Sequence, residues 1–207
     1  MTQRPLCAAL AGLLALGASG PAQAATLVAD TVIEFFNSGV VPAFPPPTAF
    51  GGLWPTTFPI VVPTSYAADG DPNTFVSLPT GSYIVLGFSG GFVFDGPGND
   101  IFVSEVGAAQ ELADVFVSSD WGASFTFLGQ ADGNTVTEFD LGTIGFTGMV
   151  NAVKVVGLDS RGGSPGFDLA YVTGLEGSVS IIPVPPALPL LLGGVALLGL
   201  VARRRAG

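Results

Sequence analysis

Between residues 25 and 182 no stretch of this chain sustains the 3.6-residue apolar period of an amphipathic helix. Short runs of β-branched and aromatic residues recur instead, cut apart by Gly, Pro, Asn and Asp. Residues 26–36, 82–88, 101–103, 124–128, 150–156 and 167–172 each read as a strand. Residues 115–118 alternate in polarity, and Ser119, Asp120, Trp121 and Gly122 then turn the chain. Residues 42–63 are Pro-rich, which predicts a long loop with edge segments. The predicted fold is all-β, a two-layer β-sandwich over residues 25–182. All 16 phenylalanines fall in this stretch and are expected in its core.

Charge narrows the function. All 16 acidic residues lie from Asp30 to Glu176, where the only cations are Lys154 and Arg161, a net charge of −14. Such a surface repels phosphate backbones, so nucleic acid is excluded as a partner. It suits solubility, a salty exterior or divalent cations. The chain has no histidine, which removes Ser-His-Asp and Cys-His catalysis and His-ligated zinc. Its one cysteine, Cys7, precedes the sandwich, which therefore has neither disulfide nor thiol.

The two ends differ from the middle. Arg4, an apolar run over 6–17 and the small residues Ala22 and Ala24 predict a signal peptide over 1–24. At the other end, Pro183, Val184, Pro185 and Pro186 form a spacer that no helix interior accepts. A transmembrane helix is expected over 187–202, about 16 residues against the ~20 a bilayer core asks for. Arg203, Arg204 and Arg205 close it and should stay cytoplasmic, leaving the acidic body outside.

Spacer, helix and arginines in that order resemble the PEP-CTERM sorting signal of Gram-negative bacteria, with Val184 where the name-giving glutamate would stand. The resemblance implies export machinery and an exosortase-like sorting enzyme as partners. It also implies anchoring in the inner membrane, then transfer to the cell surface or extracellular matrix.

The body carries a second resemblance. Tyr66-Ala-Ala-Asp69-Gly-Asp71-Pro-Asn-Thr74-Phe75, then the strand at 82–88, the hairpin at 115–125, and segments 153–159 and 166–172 follow one another as in galactose-binding-like jelly rolls of the discoidin (F5/8) type. In that family an Asp-Gly-Asp loop often holds a structural Ca²⁺. The resemblance thus implies Asp69, Asp71 and Thr74 as ligands, with Asp168 as a partner from the closing strand. Turn chemistry alone also explains this loop. The acidic loop from Asp95 to Asp100 is open to the same two readings.

Carbohydrate binding is the usual activity of such modules and needs exposed aromatics and polar groups at the loop end. Trp54, Tyr66, Trp121 and Arg161 are the candidates. No nucleophile elbow, P-loop or zinc motif is present, so no enzyme is expected. The expectation is an exported surface or matrix protein that binds polysaccharide. A purely structural matrix protein is the alternative, with a glycan-active hydrolase behind it.

Overall fold

The computed structural model describes residues 26–107, 110–133 and 135–175. The expected signal peptide, proline spacer, terminal helix and arginines lie outside these residues. Among the described residues no helix is long and apolar enough to cross a membrane.

Among the described residues, twelve strands form two antiparallel sheets. In chain order they are β1 (Thr26–Val28), β2 (Thr31–Phe36), β3 (Phe50–Leu53), β4 (Thr57–Val61), β5 (Thr74–Leu78), β6 (Tyr83–Gly87), β7 (Ile101–Glu105), β8 (Ala113–Ser118), β9 (Thr126–Ala131), β10 (Val136–Phe139), β11 (Ala152–Gly157) and β12 (Phe167–Leu175). One sheet runs β10-β7-β12-β5-β3-β4, with β1 also paired to β12; the other runs β2-β6-β11-β8-β9. The chain crosses repeatedly between them, as in a jelly roll.

Alternation builds the core. Ile84 and Leu86 of β6, Val115 and Val117 of β8, and Val153 and Val155 of β11 point inward from the five-stranded sheet. They meet Val76, Leu78, Ile101, Val103, Leu169 and Val172 of the seven-stranded one. Each of these twelve is fully buried, and such burial contributes roughly 1.5–3 kcal/mol per large side chain.

The phenylalanine expectation holds only in part. Phe50, Phe75, Phe88 and Phe167 are fully buried, whereas Phe36, Phe92 and Phe127 are 40–50% exposed. Residue type cannot tell the inner face of a two-layer sheet from its outer face; strand parity does that.

The Pro-rich stretch is more ordered than a loop. Its second half forms the β3–β4 hairpin on the edge of the larger sheet. Pro59 sits in the edge strand β4, where a missing N–H costs no ladder bond on the open side. Gly51 lets β3 close on β5, because a Cβ there would overlap the Phe75 carbonyl.

β12 organises the other side of this sheet. Its first half pairs with β5, Asp168 lying opposite Ser77. Against β7 its register shifts between Leu169 and Tyr171. Such bulges bend a strand and re-aim its side chains. This one falls just past Leu169, which follows Asp168 and pairs with Glu105.

Candidate functional site

A pocket of about 380 Å³ opens beside the β3–β4 hairpin. Trp54 and Phe58 form its aromatic wall, Glu111 and Asp168 its acidic one. Gly107, Gly162 and Gly163 complete the lining with backbone.

The aromatic wall is anchored in the hairpin. Trp54 donates its backbone N–H to the Asn73 carbonyl at 2.7 Å, and Thr56 donates to Leu53 at 2.8 Å, closing the turn. The Trp54 ring stacks on Phe58 at 5.4 Å, and Phe58 meets Phe75 edge-on at 5.8 Å. A ladder of rings thus runs from the pocket rim to a small buried cluster of Phe75, Val106 and Ala170.

The acidic wall is assembled from three parts of the chain. Asp168 of β12 accepts a hydrogen bond from Ser77 Oγ on its Oδ1 at 2.5 Å, and Ser77 shares a 2.6 Å bond with Ser164. Glu111 lies just ahead of β8. Its neighbour Leu112 donates to Asp159 Oδ2 at 2.9 Å and accepts from the Leu158 N–H at 2.9 Å, which ties the segment to the β11–β12 loop. Gly162 of that loop has φ +85° and presses on Glu111, since a Cβ there would overlap Glu111 Oε1. Behind them, Glu105 ends β7, with its N–H donated to Thr135 and the next N–H to the Asp168 carbonyl.

These acids are poorly compensated. Glu105, Glu111 and Asp168 are 4%, 1% and 6% exposed. Among the described residues, both carboxylate oxygens of Glu105 and Oε1 of Glu111 are buried without a hydrogen-bond partner. Burial raises the Glu105 carboxyl to about 7, with the nearby Asp132 charge adding to it. Burial, then the charges of Glu105 and Asp159, raise Glu111 to about 8. Burial raises Asp168 well above its ordinary value, against the opposing Ser77 bond.

The candidates from sequence are spread over the molecule. Trp54 lines the pocket, and Arg161 stands exposed in the loop beside it. Tyr66 packs against the main core. Trp121 lies at the β8–β9 turn on the other sheet, 48% exposed, its N–H held by Asn151 Oδ1 at 2.8 Å. Neither joins Trp54.

The Asp69 loop is compact. Thr74 Oγ1 lies 2.9 and 3.0 Å from the two Asp69 carboxylate oxygens and 3.3 Å from the carbonyls of Tyr66 and Asp71. One hydroxyl proton faces four acceptor atoms there. Asp168, grouped with this loop from sequence, is placed otherwise. It lies three residues further along the β5–β12 ladder and belongs to the pocket. Asp95, Asp100 and Asp140 form a separate trio, their carboxylate oxygens within 4.8 Å of one another. Asp100 accepts from the backbone N–H groups of Gly96 and Leu141 at 2.9 Å each.

Glu105, Glu111 and Phe58 escaped the sequence reading. For Glu105 a signal existed, because Ile101, Val103 and Glu105 share one parity along β7 and the first two are core residues. Glu111 carries no such mark.

The outer face of the five-stranded sheet is a second aromatic surface. Phe36 stacks on Tyr83 at 5.3 Å, Lys154 Nζ lies 3.8 Å above the Tyr83 ring, and Phe116 meets Phe127 at 5.3 Å.

No protein family and no curated protein matches the chain. Among solved structures, a CBM32 of AlyQ in complex with 4,5-unsaturated mannuronic acid is similar at 14% identity and TM-score 0.40, over 53% of this chain and 83% of that one. Chitosan-binding module 1 of a Paenibacillus chitosanase/glucanase is similar at 16% identity and TM-score 0.40, over 72% and 94%. The C-terminal domain of a Bacteroides fragilis chitobiase is similar at 12% identity and TM-score 0.43, over 70% and 91%.

Proposed function

We propose that this chain is an exported surface or matrix protein whose sandwich binds a polysaccharide in the Trp54–Asp168 pocket without cleaving it. The observation that carries this reading is the pairing of an aromatic wall, Trp54 on Phe58, with the buried acidic wall of Glu111 and Asp168. A flat ring covers the C–H face of a sugar, while carboxyl oxygens accept hydrogen bonds from its hydroxyl groups. The signal peptide and the PEP-CTERM-like tail supply export, inner-membrane anchoring and exosortase-like sorting to the surface. Asp69, Asp71 and Thr74 would hold Ca²⁺ as a structural ion, a reading supported by the closeness of the Asp69 carboxylate and the Asp71 carbonyl to the Thr74 hydroxyl.

Pull-down on a panel of insoluble polysaccharides tests the binding reading. The wild-type protein is retained on at least one, and Trp54→Ala is not. Retention of both variants alike would move binding away from the pocket. Membrane fractionation of the full-length chain against one ending at 182 tests the tail; only the longer form should sediment with membranes. The structural alternative is favoured by one feature, the exposed Phe36, Trp121 and Phe127 on the smaller sheet. Retention on no polysaccharide, together with concentration-dependent assembly, would select it.

A further inference from the structure

We infer that the pocket selects a sugar carrying a free primary ammonium, an amino sugar without its acetyl group. This rests on the glycan reading of the same pocket. Two buried acids, Glu111 and Asp168, line it with the buried Glu105 behind them, and Oε1 of Glu111 and both carboxylate oxygens of Glu105 have no partner among the described residues. A buried carboxylate without a counter-charge is costly, so either it stays protonated or a cation must reach it.

Among the described residues no cation pairs with these acids. Lys154 and Arg161 are the only two between Asp30 and Glu176. Lys154 is spent on the opposite sheet, over the rings of Tyr83 and Phe125. Arg161 is exposed on the loop, and its charge acts on Glu111 less than burial and the charges of Glu105 and Asp159 do. The counter-charge is therefore left to the ligand.

The pocket walls favour an ammonium over a metal ion. Ca²⁺ takes roughly six to eight oxygen ligands, whereas much of this lining is aromatic ring and glycine backbone. An alkylammonium has three N–H donors for carboxylates and is attracted to an aromatic face. A neutral sugar would leave the acids without a counter-charge, a uronic acid would add a like charge, and N-acetylation would remove the positive charge. Bound ammonium also favours ionised acids. Binding should thus expel protons from Glu111 before β8 and Asp168 on β12, which line the pocket, and from Glu105 on β7 behind them. Asp132, Asp159 and Arg161 are the other charges around them.

The test is calorimetric titration of the full-length protein with β-1,4-linked glucosamine tetramer, its N-acetylated counterpart, cellotetraose and tetralysine, in two buffers of different ionisation enthalpy. The glucosamine tetramer is expected to bind at least about tenfold more tightly than the two uncharged sugars, with net proton release. Glu111→Gln should abolish that preference. If this variant does not fold, the wild-type ranking still decides. Equal or tighter binding of either uncharged sugar overturns the ammonium inference and leaves the glycan reading standing. Tetralysine bound as tightly as the glucosamine tetramer overturns the amino-sugar assignment. Loss of both readings would show as no binding of these sugars and no Trp54-dependent retention on any polysaccharide.

Discussion

Ser77 and Asp168 face each other across the β5–β12 ladder and share a 2.5 Å hydrogen bond, so a central strand pair of the larger sheet carries one wall of the pocket. The Ser77 hydroxyl also meets Ser164, which links the pocket loop to the same strand. Ser77→Ala leaves the buried Asp168 without this partner and is expected to cost about 1–3 kcal/mol. Urea unfolding at pH 7 measures it. An unchanged midpoint would mean that the bond does not support the pocket wall.

Glu111 sets the direction of a pH effect. Its carboxyl is raised to about 8 in the folded chain from an ordinary 4.5. The folded state therefore holds a proton that the unfolded state releases between these values. Stability from this group is fully present below pH 4.5 and is lost as pH rises through about 8. Glu105, raised to about 7, acts in the same sense. Glu111→Gln should melt at least about 2 °C above the wild type at pH 8.5, with the gap closing towards pH 4.5. Thermal melts across that range check both sign and window.

Gly162 holds its place for two reasons, a φ of +85° and the close approach of Glu111 Oε1. Gly162→Ala should cost about 1–3 kcal/mol, as strained backbone and a displaced carboxylate both count against it. The same variant should weaken polysaccharide retention, because Gly162 and Glu111 line one pocket. Stability and retention measured side by side test the pair of effects.

Calcium has a direct measurement. If the Asp69 cradle holds the ion, EDTA lowers the melting temperature and excess Ca²⁺ restores it, with stabilisation of about 2.7 kcal/mol at a hundredfold excess over Kd. Asp69→Asn should abolish the response. A response surviving in Asp69→Asn but lost in Asp140→Asn would place the ion at the Asp95, Asp100 and Asp140 trio instead.

Much of the sandwich was legible because its strands obey local rules. The run at 82–88 became β6, the alternation at 115–118 became β8, and the turn through Trp121 joins β8 to β9. β5 and β10 were missed. Thr74–Leu78 lies beside turn residues that drew the reading towards an ion loop, and Val136–Phe139 is too short to show a pattern of its own. The site was less legible than the fold. Trp54 stood out as an aromatic next to prolines and a turn. Glu111 is buried only because the β11–β12 loop folds over it, a contact between residues some fifty positions apart. Asp168 was visible as an acid on the closing strand. Its true neighbour followed from the β5–β12 register, which no local pattern reveals.

The two tryptophans of this chain are divided between the two sheets. Trp54 forms the pocket wall, and Trp121 sits on the turn between two strands of the other sheet. The molecule therefore contains its own optical probe and its own reference. A ligand entering the pocket should shift the emission of Trp54 and leave that of Trp121 constant, so Trp121→Phe would yield a label-free reporter of occupancy.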